Sequence, residues 1–235
     1  MATLVVAMSF TGKPAGSGQL VVLLDHYVGN KLLQQDTVSY QNELGQSFTV
    51  TKFRYYIGNI HLKKVNGDEV AMSDYYLVNE DEETSKKITL NLPEGEYGSI
   101  SFIIGVDSLH NCSGAQAGAL DPVNAMFWAW NTGYIFLKLE GKSPASKSPG
   151  NIFEYHIGGY KQPANCIRAA NLSFIQPLII TNASAKELHL KVDAAEILKS
   201  PMTIDFSQLS SVTDFHNATI IADNYADMFS VIGEK

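Results

Sequence analysis

The chain has 235 residues, 45% hydrophobic and only 17% charged, with a formal net charge of −7. That balance supports a packed core and excludes a nucleic-acid footprint, because no basic cluster offsets the acidic excess. The 11 Tyr and 11 Phe favour strands, the 2 Cys are too few for a disulfide scaffold or a Cys-only zinc site, and no run reaches membrane-spanning length.

In chain order, the opening MATLVVAMSF is apolar but lacks the basic start of a signal peptide. It reads either as a first strand or as the remnant of a targeting segment, with TGKPAGSGQ as a linker. Residues 1–18 are accordingly set apart from a single domain over 19–235. QLVVLLDHYV and SFTVTKFRYYIGNIHL are β-rich runs, and Asn66-Gly67 is a hairpin signal leading into AMSDYYLVNED. KKITLNLPEGEYGSISFIIGVD reads as strand, Pro-Glu-Gly turn, strand. DPVNAMFWAWN is a helical candidate with Asp121 as N-cap and Pro122 at its first position; if AMFWAWN is extended instead, Trp128 and Trp130 share a face. TGYIFLKLEG and IFEYHIGGY are strands separated by GKSPASKSPGN, a flexible hairpin loop. NLSFIQPLIIT, KELHLKVDA and PMTIDFS complete the strands. In ELHLKVD, Leu188, Leu190 and Val192 face one side while His189, Lys191 and Asp193 face water. DAAEILK and NYADMF are the remaining helical candidates. Many short strands with Gly, Pro and Asn turns predict an all-β fold, an antiparallel β-sandwich with long loops and a few short helices.

Chemistry is sparse. The sequence has no G-x-S-x-G, phosphate-binding Gly-rich loop, H-E-x-x-H or Rossmann fingerprint, so a non-enzymatic protein is expected. Six histidines remain as possible metal ligands. Imidazole suits copper and zinc, and aromatic or sulfur surroundings favour reduced copper. His61, His189 and His216 read as surface residues. His110 heads the loop that carries both tryptophans. His26 ends an apolar strand, and His156 lies between aromatic residues just before a Gly pair; each is either a ligand or a satisfied half-buried histidine. Trp128 and Trp130 either anchor a core or line a site. Cys112 and Cys166 pair in an oxidising compartment or stay free in a reducing one.

GVDSLHNCSGAQAGALDPVNAMFWAWNTGYIFLKLEG followed by FEYHIGG resembles the MbnP-like family of bacterial copper-binding envelope proteins. DHYVGNKLL, FTVTKFRYYIGNIHL, LHLKVDAAEIL and ADNYADMF extend the resemblance in order through most of residues 20–230. It implies a β-sandwich in the periplasm or at the cell surface, often lipid-anchored, that binds copper through histidines. It also implies a partner di-haem enzyme that oxidises a tryptophan. Carried over to this sequence, His26 and His156 become the expected ligands, with His110 in reserve. Trp128, Trp130, Tyr134 and Asn111 line the site. The family loop after GV usually carries a Pro and an Asn-His pair, whereas this chain has His110-Asn111 reversed, as a distinct subgroup would. The rival expectation is a surface module that grips a glycan or another envelope protein without metal.

Overall fold

The computed structural model describes residues 16–114, 116–128, 133–212 and 214–234. The strands are β1 (Ser17–Val28), β2 (Lys31–Leu32), β3 (Tyr40–Gln41), β4 (Ser47–Lys64), β5 (Glu69–Asn79), β6 (Lys87–Pro93) and β7 (Gly95–Ile104). After the short helix α1 (Ser108–Cys112) come β8 (Phe127–Trp128), β9 (Gly133–Tyr134), β10 (Leu137–Lys142) and β11 (Ile152–Ile157). The chain closes with β12 (Arg168–Ile180), β13 (Lys186–Asp193), β14 (Ser211–Val212), α2 (Phe215–Tyr225) and β15 (Phe229–Glu234). Most of the segment set apart as 1–18 lies outside the described residues.

Two sheets form an all-β sandwich. The first runs β15-β13-β1-β2, with β6 also on β1; the second runs β12-β7-β4-β10-β11-β14, with β3 and β5 also on β4. The pairing is mixed rather than wholly antiparallel, because β1 pairs with β13 and β11 with β14 in parallel. Parallel neighbours need a long crossover, and here most of the chain separates β1 from β13. Strand alternation fills the interior: Leu20, Val22, Leu24 and His26 of β1 are buried, as are Leu188, Leu190 and Val192 of β13. In β4, Phe53, Tyr55 and Ile57 face the core, but so do Ile60 and Leu62. The register shift between Gly58 and Ile60 supplies the parity change, with Asn59 in the left-handed region at φ 50°.

Several local expectations change. β6 and β7 are strands joined at Glu94, but they belong to different sheets, so the Pro-Glu-Gly turn is a crossover. PMTIDFS is not a strand: Ile204 and Phe206 plug the core, and side chains replace the ladder. Asn42 donates to the Ile204 carbonyl at 2.9 Å, and the Phe206 N–H donates to Gln46 at 3.0 Å. The serine-rich loop after β10 is folded back, with Ser143 and Ser146 buried and donating to the carbonyls of Ser47 and Ile152. DAAEILK supplies only a 3-10 turn, Glu196–Leu198. The long helix lies mostly upstream of NYADMF and includes only its Asn224 and Tyr225: Ala218, Ile221, Ala222 and Tyr225 make a buried stripe at helical spacing on α2. Asp193 is buried rather than solvated, accepting from the backbone N–H groups of Gly29 and Ala195.

Candidate metal site beneath the tryptophan loop

Between β7 and β10 the chain makes its longest excursion, and Tyr56 of β4 fastens it at both ends. The Gly105 N–H donates to the Tyr56 carbonyl at 3.0 Å, and the Tyr56 N–H donates to the Phe136 carbonyl at 2.9 Å. The Tyr56 hydroxyl also donates to Ala119 in mid-loop at 3.0 Å, and its ring meets Tyr134 edge-on. Phe53 and Tyr55 point into the sandwich, so Arg54 and Tyr56 point outward, and the loop covers the outer face of the second sheet.

Asp107, Asn111 and Asp121 shape this loop. Asp107 caps α1 by accepting the His110 N–H at 2.9 Å, and Asp121 accepts the Val123 N–H at 2.9 Å. Buried Asn111 donates to the carbonyls of Val106 and Asp107 and accepts the Tyr134 N–H at 3.0 Å. Asn111 is thus a backbone clamp. The helix expected from Asp121 lasts one 3-10 turn, Pro122–Asn124, because Ala125 adopts a left-handed φ of 56°. The chain then extends, placing Trp128 in β8 paired with β9. Trp130 lies outside the described residues.

Trp128 is 8% exposed and packs on the backbone at Gly158. A Cβ on Gly158 would come within 2.7 Å of the indole ring and would strike the Tyr134 carbonyl as well. The tryptophan run and the later H-I-G-G are therefore two halves of one contact. His156 is two residues before Gly158 and pairs with Lys138 of β10, itself opposite Arg54 of β4. His156 shares the outer face with these two residues. Its Nε2 bonds Glu140 at 2.7 Å, and its Nδ1 has no hydrogen-bond partner among the described residues. The bond to His156, then the charges of Lys52, His156 and Lys138, hold Glu140 down to about 2 against the cost of burial. Lys138 is buried and donates to the Ala125 carbonyl at 2.9 Å, tying the loop to the sheet. Burial lowers the Lys138 pKa.

The three histidines expected to be ligands do not meet. His110 bonds Asp107 at 2.9 Å and packs on Tyr75 with ring centroids 4.6 Å apart. Tyr75 lies over Gly58, and Gly58 is four residues along β4 from Arg54, roughly 13 Å at strand rise. Burial disfavours the Asp107 carboxylate, but bonds from the His110 N–H, the His110 ring, Tyr75 and Asn59 hold its pKa at about 2. His26 is on the other side of the sheet, inside the sandwich. Its Nδ1 bonds Glu80 at 2.5 Å and its Nε2 bonds the Tyr55 hydroxyl at 2.8 Å, so both ring nitrogens are engaged. Among the described residues no group of three or more His, Cys, Asp or Glu is arranged to hold a metal.

All five histidines with described side chains pair with a carboxylate: His26–Glu80, His61–Glu69, His110–Asp107, His156–Glu140 and His189–Asp25. The side chain of His216 lies outside the description. Both cysteines are free; Cys112 is exposed, and burial pushes the Cys166 thiol up to about 12. Glu140, Lys138 and Gly158 are the site residues that sequence reading passed over. The one available signal was alternation along LKLEG and FEYHIGG, which puts Lys138, Glu140 and His156 on the polar side of their strands.

A family model, MbnP, matches residues 17–216. Among curated proteins none matches this chain. MbnP from Methylosinus trichosporium has a similar fold, with a TM-score of 0.57 over 92% of this chain and 98% of that chain, at 13% identity. The match takes in every strand except β15, with both halves of the Trp128–Gly158 contact, and the chain therefore belongs to the MbnP family.

Proposed function

We propose that this chain is a non-enzymatic protein of the bacterial envelope, in the periplasm or at the cell surface, that binds Cu(I) with His156 as a ligand. The observation that supports this is His156 itself: Glu140 holds its Nε2 at 2.7 Å, its Nδ1 has no hydrogen-bond partner among the described residues, and it lies two residues before the Gly158 on which Trp128 packs. Carboxylate-backed imidazoles orient metal-binding nitrogens. The described donors fit a low-coordinate soft ion better than zinc, which takes about four ligands. His110, whose Nε2 has no hydrogen-bond partner among the described residues, is at the other end of the loop and is the second candidate. His26 is the poorest, because binding there breaks a bond to Tyr55 inside the core. Lipid anchorage through residues 1–18 and a di-haem partner acting on Trp128 or Trp130 belong to the same reading.

A glycan module needs open aromatic faces, yet Trp128 and Tyr134 are 8% and 0% exposed. Tryptophan fluorescence separates the two readings. Stoichiometric Cu(I) quenches it in the wild-type chain but not in His156→Ala, while neutral oligosaccharides leave both unchanged. Quenching by oligosaccharide, or equal Cu(I) quenching in both proteins, contradicts the proposal.

A further inference from the structure

The cluster at His26 joins the two sheets with more chemistry than packing requires. Tyr55 of β4 is fully buried, as is His26 of β1 apart from 4% of its surface. Burial raises the Tyr55 pKa, so the phenol stays neutral and its O–H donates to His26 Nε2 at 2.8 Å. That leaves His26 Nδ1 to carry the hydrogen that bonds Glu80 at 2.5 Å. Burial is also the main influence on His26, lowering its pKa, so a neutral imidazole faces the phenol. Glu80 bonds Lys86 at 3.3 Å, and both line a cleft of about 450 Å³ with Gln34, Leu33 and Asp25. Phenol, imidazole and carboxylate thus form one file from the core to solvent, each link within proton-transfer distance.

We infer that Tyr55 is an oxidisable tyrosine, a buried one-electron site whose proton is taken by His26 with Glu80 behind it. A neutral tyrosine gives up an electron readily only if its proton leaves at the same time, and water does not reach Tyr55. One electron passes from Tyr55 to a high-potential metal-complex oxidant at the protein surface, such as ruthenium(III) tris-bipyridine, which is reduced to ruthenium(II). The phenolic O–H breaks and an Nε2–H forms on His26, while the Nδ1 proton moves to Glu80 Oε2. The products are a neutral phenoxyl radical, a neutral imidazole and a protonated Glu80, so no new charge is created in the core, and Lys86 keeps Glu83 as its partner at 2.6 Å. Re-reduction returns both protons along the same file. The file is independent of the copper reading and holds if that reading fails.

The test is flash photolysis of the full chain with a ruthenium(II) tris-bipyridine sensitiser and a sacrificial cobalt(III) acceptor, read by transient absorption and electron paramagnetic resonance. The expected result is a long-lived phenoxyl signal that forms more slowly in D2O, is lost in Tyr55→Phe and forms more slowly in Glu80→Gln. A long-lived signal that survives Tyr55→Phe, or a wild-type chain giving only short-lived surface radicals, overturns the inference. If Tyr55→Phe does not fold, Glu80→Gln and the D2O comparison on the wild-type chain decide it. Unchanged formation rates in both would overturn it too.

Discussion

A single hydrogen atom decides the geometry at Gly158. Trp128 lies where a Cβ would be, so Gly158→Ala forces the indole or the Tyr134 backbone to move. The expected cost is about 1–3 kcal/mol, as for overpacking elsewhere, with a shifted tryptophan emission; a chemical melt read by fluorescence measures both. His26 offers the opposite case, where the loss is a missing partner. His26→Leu keeps the volume apolar but strands the Tyr55 hydroxyl, which has no other hydrogen-bond partner among the described residues, at about 1–3 kcal/mol. The urea midpoint should fall accordingly. These pairs were hidden in the sequence for a physical reason. Glu80 is 54 positions from His26 and Tyr55 is 29, and such contacts follow from sheet register rather than local pattern.

Among the elements, alternation read the long strands well because each has one face in a core. Leu188, Leu190 and Val192 are buried as their spacing implies, and Asn66-Gly67 turns β4 into β5 with Gly67 at φ 96°. Where backbone partners are replaced by side chains, the pattern misleads. Ile204 and Phe206 alternate like a strand but are held by Asn42 and Gln46, and Trp128 follows a helix-like start cut short at Ala125. Short polar side chains bond nearby backbone, which is how Asp107 and Asn111 shape their loop. A buried cation, Lys138, also ties the tryptophan loop to the sheet, so Lys138→Met tests that tie selectively. Removing the ammonium relieves its desolvation while releasing the Ala125 carbonyl. The expected outcome is a melting temperature that hardly moves and faster protease cleavage between Gly114 and Trp128.

Across the whole molecule, the paired histidines and carboxylates set the acid limit. The folded pKa of Glu140 is about 2 against an ordinary 4.5, and that of Asp107 about 2 against 3.8. Groups with depressed folded values contribute stability above their unfolded pKa and lose it as pH falls toward the folded one. His26 adds an earlier stage: its pKa is lowered from 6.5, so below that pH the unfolded chain binds a proton that the folded chain resists. Urea midpoints should therefore decline first below pH 6.5 and again between 4.5 and about 2. His26→Leu should remove the first decline and keep the second.

The sandwich and its outer-face loop put one carboxylate-backed imidazole, His156, two residues from the glycine on which a buried tryptophan packs, and the functional reading rests on that imidazole. An anaerobic titration of Cu(I) into the full chain against a chromogenic chelator, with His156→Ala and His26→Leu in parallel, tests it most directly. The account predicts one tight equivalent in the wild-type chain, retained in folded His26→Leu and lost in His156→Ala. Copper left entirely with the chelator, or held equally by His156→Ala, would contradict it.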